Sequence, residues 1–179
     1  MLLTLFIILG FASCKTESSL SLSNDDAKTL VVQTLNLPMK FSTIIKSGYL
    51  SSKTVELENQ GYITKSWSTA AAYTYYPTDM ATPYLVNDGT GKLNLRTLDI
   101  DFDNITGISI NKEQQTATVR FTLKSTSVTP VGRILERIND NPQNGELVYK
   151  KFDTGWQLQS DQNTNSESMV RKIYWSNNN

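Results

Sequence analysis

Asp99, Asp101 and Asp103 stand at every second position of one short run, Asp99-Ile100-Asp101-Phe102-Asp103-Asn104. Carboxylate oxygens are hard ligands, and three crowded together suit a calcium ion, whereas two facing each other across a cleft suit acid–base hydrolysis. The rest of a calcium loop is missing: Asn104 occupies the place of the sharp-turn glycine and Ile110 that of the bidentate glutamate. The same run also reads as a strand in which Leu98, Ile100 and Phe102 face a core while the three carboxylates face water. The strand reading accounts for more of the run, so Asp99, Asp101 and Asp103 remain a weak calcium candidate.

Trp67, Tyr73, Tyr75, Tyr76 and Tyr84 make a second cluster. Exposed rings stack on sugar faces or anchor a protein partner, and buried ones simply fill a sheet core. On a strand, Tyr73 and Tyr75 share one face and Tyr76 takes the other. These five are the best ligand-binding candidates in the chain. Thr129-Pro130-Val131-Gly132-Arg133 reads as a turn leading into Ile134 to Ile138 rather than a loop offering Arg133 to an anion. Trp156 beside Gly155 reads as a core anchor of a hairpin.

Composition closes most enzymatic routes. Among 179 residues there is no histidine and one cysteine, Cys14. That removes the usual general base near neutral pH, Ser-His and Cys-His pairs, and the commonest zinc ligand. Carboxylate, lysine, tyrosine and serine chemistry survives, so a non-enzymatic role is expected ahead of a carboxylate hydrolase, with no cofactor. Lys plus Arg and Asp plus Glu balance at 17 each. A neutral chain lacks the cationic footprint that nucleic acid requires.

The elements that would position these residues are α-helical early and β-stranded late. Ser23 can cap a helix, with Asp25 and Asp26 at its positive end and Ala27, Leu30, Val31, Thr34 and Leu35 at helical spacing until Leu37-Pro38. Phe41 to Leu50 predicts a strand with a turn at Gly48. A second helix starts near Ser51-Ser52 and stops at Gly61, a natural C′ residue. Tyr62 to Tyr76 predicts one or two strands, Thr78 to Leu85 a short helix interrupted by Pro83, and Asn87-Asp88-Gly89-Thr90-Gly91 a turn. After Gly91 the period becomes two. Ala117, Val119, Phe121 and Leu123 alternate with Thr118, Arg120 and Thr122, and a hairpin turns at Asp153-Thr154-Gly155. Met169 to Trp175 fits a strand or a helix. The order predicts an α+β fold with N-terminal helices packed on a mainly antiparallel sheet.

The chain begins with an uncharged apolar run, Met1 to Gly10, followed by Phe11-Ala12-Ser13-Cys14 and then a polar, serine-rich stretch. The run is too short to span a bilayer and fits a secretory signal. Small residues before a lone cysteine resemble the lipobox of bacterial lipoproteins. That resemblance implies residues 1–13 as a removed signal peptide, Cys14 as the lipidated (palmitate-bearing) first residue, 14–23 as a tether and 24–179 as a single α+β domain. Lys15, in place of the aspartate that retains such proteins at the inner membrane, implies the outer membrane. An ordinary secreted protein is the alternative.

Two further stretches resemble known folds. Ala117 to Leu123, Thr129-Pro130-Val131-Gly132 and Val148 to Leu158 are similar to the closing strands of small exported bacterial lipoproteins, several of which have cystatin-like α+β folds. Glu56-Leu57-Glu58-Asn59-Gln60-Gly61-Tyr62-Ile63-Thr64 resembles the helix-to-wing junction of winged-helix proteins, which implies a winged-helix-like N-terminal packing at most. Together these readings give an exported, lipid-anchored domain of the cell envelope that binds a protein or another surface component. A carbohydrate-binding module built on Trp67 to Tyr84 is the alternative.

Overall fold

Ser23 starts the first helix as its sequence predicts: its hydroxyl accepts the Asp26 N–H at 3.1 Å, and Asp25 and Asp26 lie in the first turn, where the helix dipole favours them. In this computed structural model, which describes residues 20–48, 50–68, 72–159 and 165–176, that helix is α1, Asn24–Leu35. It ends one residue before Leu37-Pro38, at Asn36, which takes the left-handed conformation with φ 53°. Residues 1–13, expected as a signal peptide, and Cys14 lie outside the described residues.

The protein is an α+β fold whose main sheet has five strands in the order β1-β4-β5-β6-β7, each neighbour antiparallel. β1 is Met39–Ile45, β4 Leu93–Asn111, β5 Thr116–Val128, β6 Gln143–Phe152 and β7 Gly155–Leu158. The alternation along β5 does what its pattern dictates. Ala117, Val119, Phe121 and Leu123 are fully buried, while Thr118 and Thr122 are half-buried and Arg120 exposed. Ala27, Val31 and Leu35 of α1 close over them together with Val170 and Tyr174 of α4, Ser166–Ser176. Each fully buried valine or leucine among them contributes roughly 1.5–3 kcal/mol. Trp156 is half-buried against the edge of this core rather than enclosed by it.

A second core sits at the other end of β4. Helix α2, Ser52–Asn59, begins with a capping box between Ser51 and Thr54 and is followed by Gly61 at φ +79°. The hairpin β2, Ile63–Trp67, with β3, Tyr73–Pro77, then packs with a 3-10 helix, Asp79–Tyr84, that contains Pro83. Leu57, Ile63, Tyr75 and Ala81 of these elements meet Leu95 and Val131. β4 joins the two cores, since Leu95 belongs to this one and Leu98 and Ile100 to the first.

One expectation is overturned. Thr129-Pro130-Val131-Gly132-Arg133 is not a turn but the start of helix α3, Pro130–Leu135, and Ile134 to Ile138 forms no element of its own. The Thr129 hydroxyl accepts the Gly132 N–H at 2.9 Å, and Pro130 occupies the first helical position. The glycine serves packing: a Cβ at Gly132 would lie 2.1 Å from the Thr97 carbonyl oxygen. Thr97 is the residue that the β1–β4 register skips, and its carbonyl accepts the Thr129 N–H at 2.9 Å.

Candidate functional site

The three aspartates of β4 do not converge. Asp99 pairs with Arg96, whose Nε donates to Asp99 Oδ1 at 3.1 Å. Asp101 accepts the backbone N–H of Phe102 at 2.7 Å. Asp103 accepts from the Thr122 hydroxyl at 2.8 Å and pairs with Lys124 at 3.0 Å. The hydrogen bonds from Lys124 and Thr122 hold the Asp103 carboxyl below the usual carboxylate range. The register shift at Phe102/Asn104 makes Asp103 the extra residue of a bulge on β4, which breaks the regular spacing of two between it and Asp101. Among the described residues no three His, Cys, Asp or Glu side chains stand where they could hold a metal together.

The five aromatic candidates also separate. The β2–β3 register sets Trp67 opposite Tyr73 and Lys65 opposite Tyr75, so these share one face of the hairpin and Tyr76 lies on the other. Tyr75 is buried, with its hydroxyl 3.4 Å from Thr54 Oγ1. Tyr84 is half-buried, edge-on to Tyr62 with ring centroids 6.2 Å apart. Tyr73 is half-buried under Trp67, at 4.8 Å, with Lys65 5.4 Å from its ring. Glu58 accepts a hydrogen bond from Lys65 and holds its ammonium above the ordinary lysine value. Only Trp67 and Tyr76 are exposed, on opposite faces, so the five rings form no common sugar-binding platform.

The structure instead brings two of the tyrosines to a groove of about 720 Å³. Its walls are the end of β1 with the residues after it, 44–47, and the strand β3 from Thr74 to Pro77; the loop 85–93 leading into β4 completes it. Tyr76 is 51% exposed there and is joined by Ile44 at 37% and Leu85 at 42%, three large apolar side chains left to solvent in one place. This volume is in the range of pockets that bind ligands, and clustered exposed apolar side chains mark interaction surfaces.

Two cations stand at the groove, Lys46 and Lys92, both exposed and without an ion-pair partner among the described residues. Asp88 also lines it, but its carboxylate is turned into its own loop. It accepts from Thr90 N at 2.9 Å, Thr90 Oγ1 at 2.6 Å and Asn94 Nδ2 at 3.1 Å, and the Thr90 hydroxyl is the main cause of its lowered pKa.

Ile44, Lys46, Leu85 and Lys92 were not legible as a site. The one available signal is the doublet Ile44-Ile45: on a strand, adjacent apolar residues point to opposite faces, so one of them must leave the core. Ile45 is the buried one. No helix among the described residues is long and apolar enough to cross a membrane. No protein-family model, curated protein or solved structure matches the chain.

Proposed function

We propose that this protein is a non-enzymatic, lipid-anchored domain of the cell envelope that binds a protein partner outside the cytoplasm. Its anchor is the lipidated Cys14 and its address the outer membrane. The observation that carries the binding half is the groove, where Ile44, Tyr76 and Leu85 leave apolar surface in water beside two cations. The lipobox-like Phe11-Ala12-Ser13-Cys14 and the polar stretch after it support the anchoring half. The absence of histidine and the separate pairing of Asp99, Asp101 and Asp103 favour binding over catalysis.

A thermal-shift screen of the full chain in detergent tests the class of ligand, using glycans, peptidoglycan fragments and calcium. A ligand at a hundred times its dissociation constant adds roughly 2.7 kcal/mol, a shift of several degrees at this size. The expected result is no shift with any of the three. A shift with one sugar class that disappears in Trp67→Ala or Tyr76→Ala would replace this reading with a carbohydrate-binding module. A shift with calcium that disappears in Asp101→Asn and Asp103→Asn would restore the cation site.

A further inference from the structure

The two walls of the groove are strands that begin to pair and then part. Gly48 and Tyr73 form an antiparallel bridge, Gly48 N donating to Tyr73 O at 3.0 Å and Tyr73 N to Gly48 O at 2.9 Å. Continuing that register would set Ser47 opposite Thr74, Lys46 opposite Tyr75, Ile45 opposite Tyr76 and Ile44 opposite Pro77. Those eight residues are the ones that line the two walls, and the cavity lies between them. Among the described residues β1 has β4 as its only sheet neighbour and β3 has only β2. Alternate backbone N–H and C=O groups of each strand therefore point away from that neighbour, at an edge with no ladder of its own.

We propose that an extended segment of a partner protein enters this gap as an added strand, antiparallel to one wall and parallel to the other, and that it carries an acidic side chain beside apolar ones. The inference rests on the binding reading above and names its partner class. Backbone hydrogen bonds supply affinity in this mode, and pockets for alternate side chains supply selectivity. Ile44, Tyr76 and Leu85 offer the apolar contacts. Lys46 and Lys92, neither of which is in an ion pair among the described residues, select a carboxylate. An open edge of this kind is an aggregation hazard unless managed, and its short length, with Pro77 at one end and the lysines beside it, limits what can pair there.

The test is selection of random decapeptides displayed on phage against the full chain in detergent micelles, followed by titration of the winning peptide as a fluorescein conjugate. The enriched sequences are expected to alternate apolar with polar residues and to contain Asp or Glu. Charge reversal in Lys46→Glu with Lys92→Glu should weaken the peptide tenfold or more. N-methylation at any of its four central amides should do the same, because an inserted strand uses both of its edges. Tolerance of N-methylation, or displacement by decanoate of a peptide that ignores the charge reversal, would overturn the strand in favour of an apolar or amphiphile pocket. Dimerisation of the chain that competes with the peptide would put a second copy in the gap and overturn it as well. If no peptide is enriched, the strand mode fails. Photo-crosslinking of a protein at Tyr76 in cells would then leave the broader binding reading standing, and its absence would remove both.

Discussion

Replacing Tyr149 with Phe should make stability less sensitive to alkali, and the size of the effect follows from where the phenol sits. Tyr149 is fully buried beneath α1, its hydroxyl donating to Thr34 Oγ1 at 3.1 Å. Burial pushes its pKa up from 10.0 to about 12, with the Thr34 hydrogen bond opposing the rise. The folded chain keeps this proton after the unfolded chain has released it. The contribution is therefore complete below pH 10 and is lost as pH rises from 10 through 12. At pH 11 the wild type should have lost about 1.4 kcal/mol through this one group, some 3–6 °C in Tm at this chain length.

Tyr149→Phe escapes that loss but gives up the hydrogen bond, which costs about 0.5–1.5 kcal/mol. The variant should thus melt a few degrees below wild type at pH 7, and the gap should close by pH 11. Calorimetry of both proteins from pH 7 to 11.5 measures the gap, and absorbance of the phenolate near 295 nm follows the ionisation itself. An equal gap at both ends of the range would mean that the phenol is not held protonated by the packing of α1 on the sheet.

Other substitutions probe other parts of the structure. Gly132→Ala drives a Cβ against the Thr97 carbonyl, with backbone on both sides, and should cost about 1–3 kcal/mol or more by denaturant titration. An unchanged midpoint would mean that α3 does not lie so close to β4. Asp103→Asn removes a carboxylate whose pKa is lowered in the folded state. Its destabilisation should be present at neutral pH, no more than about 3 °C for so exposed a pair, and should vanish as pH falls below about 4. A difference in Tm that survives at pH 2.5 would show that the ion pair is not its source. Cys14→Ala should move the chain from the membrane fraction to the soluble one and abolish palmitate labelling, with an unchanged far-UV spectrum. Retention in membranes would remove the lipoprotein reading.

The parts of this fold written in local pattern were legible. Ser23 and Ser51 announce their helices because a capping hydroxyl acts within three residues, and β5 announces itself because one buried face forces alternation. Thr129-Pro130 carried the same kind of signal for α3, a cap followed by proline at the first helical position. Gly132 concealed it, because glycine there answers to the approach of β4 and not to a turn. The pairing of β1 with β4 joins residues 48 to 61 positions apart, and no local pattern encodes it.

The candidate sites fared according to the same rule. Spacing put Asp99, Asp101 and Asp103 on one face only for a regular strand, and the bulge that sets Asp103 apart arises from pairing with β5. The aromatic segment did contribute to the groove through Tyr75 and Tyr76. The opposite wall came from Ile44 and Lys46, brought there by the Gly48–Tyr73 bridge.

The binding claim is met most directly by placing a photo-crosslinking amino acid at Tyr76, at Leu85 and, as a control on β5, at Thr118, and irradiating intact cells. One protein adduct of the same mass is expected from Tyr76 and Leu85 and none from Thr118. No adduct at the groove positions, the same adduct from all three, or a glycan or lipid in place of protein would contradict it.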